Sequence, residues 1–105
     1  MTTSKHRSDL LIDGEWTSTF TRFEVLNPAS MEVLAQVADA TPEDALEAVG
    51  SAHEAFSSWS QTAPRHRAEI LRRAFEITTA EIEDCARLIT LENGKAWADA
   101  MGEAT

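Results

Sequence analysis

Short apolar runs separated by turn residues open the chain and predict β-hairpins. Leu10–Ile12 and Glu15–Thr17 flank the dipeptide Asp13-Gly14. A two-residue Asp-Gly loop between strand-like runs is a strong hairpin signal, because both central residues need a positive φ. The polar residues 1–9 that precede this hairpin are predicted to be a flexible N-terminal tail.

A second hairpin is predicted from Phe23–Leu26 and Val33–Ala40, which are separated by "NPASME". Asn27-Pro28 marks the end of the first of these strands, since proline has no amide to donate to a sheet ladder. Two short hairpins by themselves make only a weak sheet.

The apolar period changes at Thr41, where a long helix is predicted to begin. Thr41 suits the N-cap position, Pro42 the first helical position, and Asp44 completes a capping box. The apolar residues then recur at steps of four and three, which places them on one helical face. They are Ala45, Val49, Ala52, Phe56 and Trp59.

A second long helix is predicted from Pro64 to Asn93-Gly94, where Gly94 can take the left-handed conformation that ends helices. Its apolar face is formed by Leu71, Phe75, Thr78, Ile82, Cys85 and Ile89. One helix over residues 64–92 would be roughly 43 Å long, whereas a compact 100-residue domain has a radius of gyration of about 13 Å. We therefore expect this helix either to kink or to lie against a larger structure.

The last segment, "AWADAMGEAT", predicts the start of a third helix. It is rich in alanine and contains no residue that signals a helix end before Thr105. The chain is therefore interpreted as the N-terminal part of a longer protein. The fold class is then α/β, with two short N-terminal β-hairpins followed by two long α-helices and the start of a third.

Composition and charge exclude several classes of protein. The chain has 105 residues and a formal net charge of −9, with 43% hydrophobic residues. An acidic chain is a poor partner for nucleic acid or for anionic membrane surfaces, and no apolar run reaches the ~20 residues of a membrane span. The N-terminus lacks the apolar core of a signal peptide, so a cytoplasmic protein is expected.

Candidate reactive side chains are few. The single cysteine, Cys85, falls on the apolar stripe of the second helix, where a thiol acts as a small apolar side chain rather than a nucleophile. His6, His53 and His66 have no partner at metal-ligand spacing. The basic cluster of Arg65, Arg67, Arg72 and Arg73 could attract an anion, although a solvated face or ion pairing with acidic residues is favoured.

Glu92 is a carboxylate in the last turn of a helix, where the helix dipole disfavours negative charge. Two interpretations are open. Glu92 is simply exposed, or a cation lies nearby, either Lys95 or a bound metal ion.

Taken together, "LIDGEW", "FEVLNPAS", "DALEAVGSAHEAFSSWS", "RHRAEILRRAF" and "LITLENGKAWADAMGE" resemble the N-terminal region of aldehyde dehydrogenases, most of all succinate-semialdehyde dehydrogenases. The order and spacing of these segments carry the resemblance, which covers Leu10 to Glu103. It implies that residues 10–105 are an incomplete portion of a Rossmann-like NAD(P)-binding domain.

The resemblance also implies an activity for the whole enzyme. Family members oxidise an aldehyde, here expected to be succinate semialdehyde, through a cysteine thiohemiacetal whose hydride passes to NAD or NADP. The catalytic cysteine, general base and nucleotide-binding loop of the family lie beyond Thr105, so residues 1–105 are expected to hold no catalytic or cofactor-binding residue and to be inactive alone. Family members are typically homo-oligomers.

One site carries over from the resemblance. Many family members bind a structural monovalent cation, and the matching ligands are the backbone carbonyl of Leu26 and the side chain of Glu92. A remaining protein ligand of that site lies beyond this chain. The alternative to an enzyme segment is a small acidic, non-catalytic interaction protein that docks on a partner through its helix faces.

Overall fold

The computed structural model describes residues 6–105, and in this range two small antiparallel hairpins precede four helices. The predicted α/β class is confirmed, with one difference, since the second long helix is divided into two. The strands are β1 (Leu10–Ile12), β2 (Glu15–Thr17), β3 (Arg22–Leu26) and β4 (Val33–Ala38). The helices are α1 (Pro42–Trp59), α2 (Pro64–Ala80), α3 (Ile82–Asn93) and α4 (Trp97–Ala104).

The chain divides into two compact units. Of the described residues, one unit holds 6–25 and 33–61, and the other holds 26–32 and 62–105. The first therefore contains α1 and the strands except Leu26, the last residue of β3. The second contains Leu26 and the turn that follows it, together with α2, α3 and α4.

The first hairpin forms as predicted. β1 and β2 pair antiparallel with Leu11 opposite Trp16. Asp13 and Gly14 have φ values of 53° and 75°. These positive values are what a tight two-residue loop demands, and they explain why an Asp-Gly pair stands here.

The predicted flexible tail lies partly outside the described residues, which begin at His6. In the described part of this tail, the Ser8 carbonyl accepts a hydrogen bond of 2.8 Å from the Ala38 amide. The Asp9 carboxylate pairs with the Arg22 guanidinium at 2.9 Å. Hydrogen bonding to the strands therefore begins before Leu10.

The capping box that starts α1 is confirmed. Thr41 Oγ1 accepts a hydrogen bond from the Asp44 amide at 3.1 Å, and the Asp44 carboxylate accepts one from the Thr41 amide at 2.9 Å. The helix lies against β1, yet its predicted apolar stripe remains exposed, including Val49 and Phe56. The stripe is thus not covered by the described part of the chain.

In the second unit the predicted long helix is interrupted at Glu81, whose φ and ψ are −110° and 18°. The Glu81 amide is shared between the carbonyls of Ile77 and Thr78, each at 3.1 Å. The predicted kink is therefore an interruption of the helix at one residue, Glu81, between α2 and α3.

The core of the second unit lies where α3 meets α4. Ala86 of α3 and Ala100 of α4 are fully buried, and they are the only fully buried apolar residues in the described range. Small side chains let two helices approach closely. Among residues 6–105, no helix is both long and apolar enough to cross a membrane.

Candidate functional site

The turn that follows β3 is tightly organised by its own hydrogen bonds. The Asn27 amide donates to the Glu32 carbonyl at 2.9 Å, and the Met31 amide donates to the Asn27 carbonyl at 2.7 Å. The Asn27 side-chain oxygen accepts from the Ala29 amide at 2.9 Å. This turn fixes the backbone directly after Leu26, whose carbonyl is one of the two predicted cation ligands.

The end of α3 lies against the same turn. Gly94 has a φ of 76°, as predicted for a helix end, and its amide donates to the Thr90 carbonyl at 2.9 Å. A β-carbon built on Gly94 would lie 3.1 Å from Cγ of Pro28. The contact between Pro28 and Gly94 therefore joins the two segments that carry Leu26 and Glu92.

Leu26 and Glu92 each lie two residues from this contact, so the chain brings their segments together. Carboxylate and carbonyl oxygens are the ligands that hard cations prefer. Glu92 is exposed, and no hydrogen bond or ion pair of its side chain is found within residues 6–105. Its residue type and setting fit a cation ligand, while coordination by Leu26 and Glu92 stays a prediction.

Lys95 is not the cation that balances Glu92. Its ammonium group hydrogen-bonds and ion-pairs with Glu103 of α4. The hydrogen bond to Glu103 and then its negative charge raise the pKa of Lys95 above the ordinary value of 10.5, with a smaller contribution from Asp99, while desolvation opposes the shift. Of the two cations considered for Glu92, the structure assigns Lys95 to a different carboxylate.

Cys85 lies in the middle of α3, half-buried and with a free thiol. Its neighbour in sequence, Ala86, is fully buried. This setting agrees with a packing role for Cys85. His53 and His66 are exposed on α1 and α2, and the described residues contain no cluster of three or more histidine, cysteine, aspartate or glutamate side chains suited to hold a metal ion.

The basic cluster of α2 is partly neutralised by the helix itself. Arg72 pairs with Glu69 at 3.1 Å and with Glu76 at 3.0 Å. Opposite charges three or four positions apart meet on the surface of a helix, which is the spacing of both pairs. The ion pairs support the interpretation of this cluster as a solvated helix face.

Arg22 is a structural residue that sequence reasoning missed. Its guanidinium donates to the Asp9 carboxylate, to both oxygens of Ser8, to the Ser18 hydroxyl and to the Gln36 carbonyl. It holds the segment before β1 against the second hairpin. No local signal marks it, because several of these partners lie 13 or 14 residues away in sequence.

An open groove of about 180 Å³ lies between β1 and α1. Its walls are almost entirely apolar, and the one carboxylate on it, Asp44, already accepts the Thr41 amide in the capping box. The groove is lined by Leu10, Leu11, Ile12, Ala40, Asp44, Ala45 and Ala48. Asp44 is the only one of these lining residues with a polar side chain.

Comparison with known proteins identifies similar sequences and folds. Residues 16–105 match the sequence model of the aldehyde dehydrogenase family. The chain is 49% identical over 94 residues to a malonate-semialdehyde dehydrogenase of Bacillus velezensis, covering 88% of this chain and 19% of that protein. It is 58% identical over 71 residues to a succinate-semialdehyde dehydrogenase of Paenarthrobacter nicotinovorans, covering 68% of this chain and 16% of that protein.

A solved structure shares the fold. A double mutant of betaine aldehyde dehydrogenase from Staphylococcus aureus, crystallised in complex with NAD+, superposes with a TM-score of 0.89 at 31% identity. The match covers 93% of this chain and 20% of that one. The chain thus spans about a fifth of the length of the proteins it matches.

Proposed function

The chain belongs to the aldehyde dehydrogenase family, and from this membership we propose that it is part of an NAD(P)-dependent semialdehyde dehydrogenase. The observation that carries the proposal is its 58% and 49% identity to a succinate- and a malonate-semialdehyde dehydrogenase. Both names describe short substrates with an aldehyde at one end and a carboxylate at the other. Succinate semialdehyde is the substrate proposed first.

The proposed reaction converts the aldehyde, water and NAD(P)+ into a carboxylate, NAD(P)H and two protons. The aldehyde carbon is oxidised, and the hydride that it loses reduces the nicotinamide. The NAD+ complex of the structurally similar betaine aldehyde dehydrogenase supports a nicotinamide cofactor. The choice between NAD and NADP stays open in the proposal.

Residues 10–105 are proposed to act as scaffold within the cofactor-binding domain of that enzyme. The one cysteine is half-buried in a helix, and the groove beside α1 is lined by apolar side chains apart from Asp44 of the capping box. Attack on the aldehyde, hydride transfer and binding of the nucleotide are therefore assigned to the rest of the enzyme, and residues 1–105 alone are expected to be inactive.

The function is tested with the product of the complete natural reading frame that contains these residues. Formation of NADH or NADPH is followed by absorbance with succinate semialdehyde, malonate semialdehyde and betaine aldehyde. We expect the two semialdehydes to be oxidised with a kcat/KM at least tenfold above that of betaine aldehyde. Preference for betaine aldehyde, or no turnover of any aldehyde, would reject the proposal.

A structural monovalent cation held by the Leu26 carbonyl and Glu92 is also proposed. In the same protein, replacing potassium or sodium by choline is expected to lower the melting temperature, and Glu92→Gln is expected to remove that dependence. Glu54→Gln is the matched control, because it neutralises an exposed helical carboxylate elsewhere in the chain. An equal response to the cation in Glu92→Gln and in the unmodified protein would contradict a role for Glu92.

A non-catalytic interaction protein is the second candidate, and the exposed large side chains of α1 and α2 favour it. The two candidates differ in what the isolated chain does. An interaction protein folds cooperatively by itself, whereas an enzyme segment of this kind does not.

A further inference from the structure

The two asparagines of the chain differ in the residue that follows each of them. Asn27 precedes Pro28 in the turn after β3. Asn93, the last residue of α3, precedes Gly94. The backbone nitrogen of the following residue can attack an asparagine side chain, but proline has no N–H to lose, whereas glycine has no β-carbon to hinder the approach. The sequence therefore allows this intramolecular reaction at Asn93 and not at Asn27.

The surroundings of Asn93 leave its side chain accessible. Asn93 and Gly94 are both exposed, and no side-chain hydrogen bond of Asn93 is found within residues 6–105. The Gly94 amide donates to the Thr90 carbonyl at 2.9 Å. This bond restrains the attacking nitrogen, but it belongs to the last turn of a helix, where helices fray. The reaction is therefore expected to proceed when this helix end opens locally.

We propose that Asn93 is a site of spontaneous deamidation, and that the carboxylate formed there strengthens the hold of the α3 end on a monovalent cation beside Glu92. The effect on the cation rests on the cation site put forward under the proposed function, whereas the deamidation itself does not.

The chemistry needs only water as a co-reactant. The Gly94 nitrogen loses its proton and forms a bond to Cγ of Asn93, and the bond from Cγ to the side-chain nitrogen breaks to release ammonia. The product is a five-membered cyclic imide. Water then opens one of the two carbon–nitrogen bonds of the ring that join a carbonyl, which leaves either aspartate or isoaspartate with a new carboxylate.

The new carboxylate stands at an electrostatically unfavourable position. The last turn of α3 contains Glu92 and no basic residue, and the helix dipole disfavours negative charge there. Lys95, the nearest cation in sequence, is paired with Glu103. Deamidation adds a further negative charge to the net charge of −9. Because hard cations bind carboxylate oxygens, the deamidated protein is expected to depend on a bound cation more than the unmodified protein does.

Peptide mapping of the complete natural protein tests the modification. The folded protein is incubated at mildly alkaline pH and digested with trypsin, and a sample digested before incubation gives the starting level. Asn93 is recovered in the peptide 88–95, and Asn27 in the peptide 23–65. We expect acid at position 93 to accumulate at least about tenfold faster than at position 27, and Asn93→Gln to slow the conversion by a similar factor because glutamine would close a larger ring.

Asn93→Asp tests the consequence for the cation, since it introduces the carboxylate directly. Ser57→Asp is the matched control, because it adds the same charge at an exposed position in the last turn of α1. When choline replaces potassium, the melting temperature is expected to fall about 1–3 °C further in Asn93→Asp than in the unmodified protein, and no further in Ser57→Asp.

Two results would overturn the proposal. They are conversion at position 93 that is no faster than at position 27, and equal responses of Asn93→Asp and Ser57→Asp to the exchange of potassium for choline. The two proposals fail separately. A protein that keeps its amide at position 93 but loses stability in choline rejects the deamidation and retains the proposed cation site, whereas rapid conversion in a protein indifferent to potassium retains the deamidation and rejects the cation site.

Discussion

At the scale of single residues, Gly94 has the most closely defined role. It has a φ of 76°, and a β-carbon there would lie 3.1 Å from Pro28 Cγ. A non-glycine residue in this conformation costs roughly 1–2 kcal/mol, and the short contact adds to that cost. Gly94 therefore both ends α3 and lets the turn after β3 approach it.

Gly94→Ala is expected to loosen the junction of α3 and α4. The amide of Ala100 reports on this junction, because it donates to the Ala96 carbonyl at 2.9 Å. If the conformational cost of alanine at position 94 appears as local opening, this amide should exchange with solvent about 5- to 30-fold faster. Hydrogen exchange followed by NMR measures this rate.

Gly102→Ala is the control for that measurement. A β-carbon on Gly102 would meet nothing within 4 Å, and alanine favours a helix over glycine by up to ~1 kcal/mol. Exchange at Ala100 should be unchanged or slower in this variant. Equal acceleration in both variants would show that the conformation and contact of Gly94 do not matter.

Residue-scale features were predictable from sequence where the cause is local. The positive φ values at Asp13 and Gly94 follow from the dipeptides Asp13-Gly14 and Asn93-Gly94. The first is typical of a two-residue hairpin loop and the second of a helix end. The role of Arg22 was not predictable, because Ser8 and Gln36 each lie 14 positions away. The proximity of Leu26 and Glu92 depends likewise on a contact between distant segments, so only the resemblance connected them.

At the scale of elements, the ion pair between Lys95 and Glu103 ties the loop before α4 to the side of that helix. The pKa of Lys95 is raised above 10.5 in the folded chain. While Glu103 is ionised, the pair therefore contributes its full stabilisation below pH 10.5, and that contribution is lost as the pH rises through the higher folded pKa.

This pH dependence can be measured on the side chain itself. In an NMR titration of the ε-carbon, the midpoint for Lys95 should lie above 10.5 and move back towards 10.5 in Glu103→Gln. Asp99→Asn should lower the midpoint less, since Asp99 is the weakest of the groups that raise the pKa. Identical midpoints with and without Glu103 would show that the pair does not form in solution.

Element boundaries were predicted well where caps mark them. The capping box of Thr41 and Asp44 starts α1, and Gly94 ends α3. The break at Glu81 was not located, because neither proline nor glycine stands there and the apolar stripe continues across it. The exposure of the stripes on α1 and α2 could not be read from their periodicity, which shows where apolar residues lie but not what covers them.

At the scale of the whole molecule, the described residues bury little. Ala86 and Ala100 are fully buried, while Phe56, Leu71 and Phe75 stand about two-thirds exposed. The free energy of folding of a small domain comes mainly from burying large apolar side chains. We therefore propose that these residues complete their core against further aldehyde dehydrogenase polypeptide.

Differential scanning calorimetry of the purified 105-residue chain tests this central claim most directly. We predict a broad transition whose van't Hoff enthalpy differs from the calorimetric enthalpy, since residues 6–105 bury few apolar side chains. A sharp two-state transition of a monomer, with the two enthalpies equal, would contradict the account and favour a free-standing interaction protein.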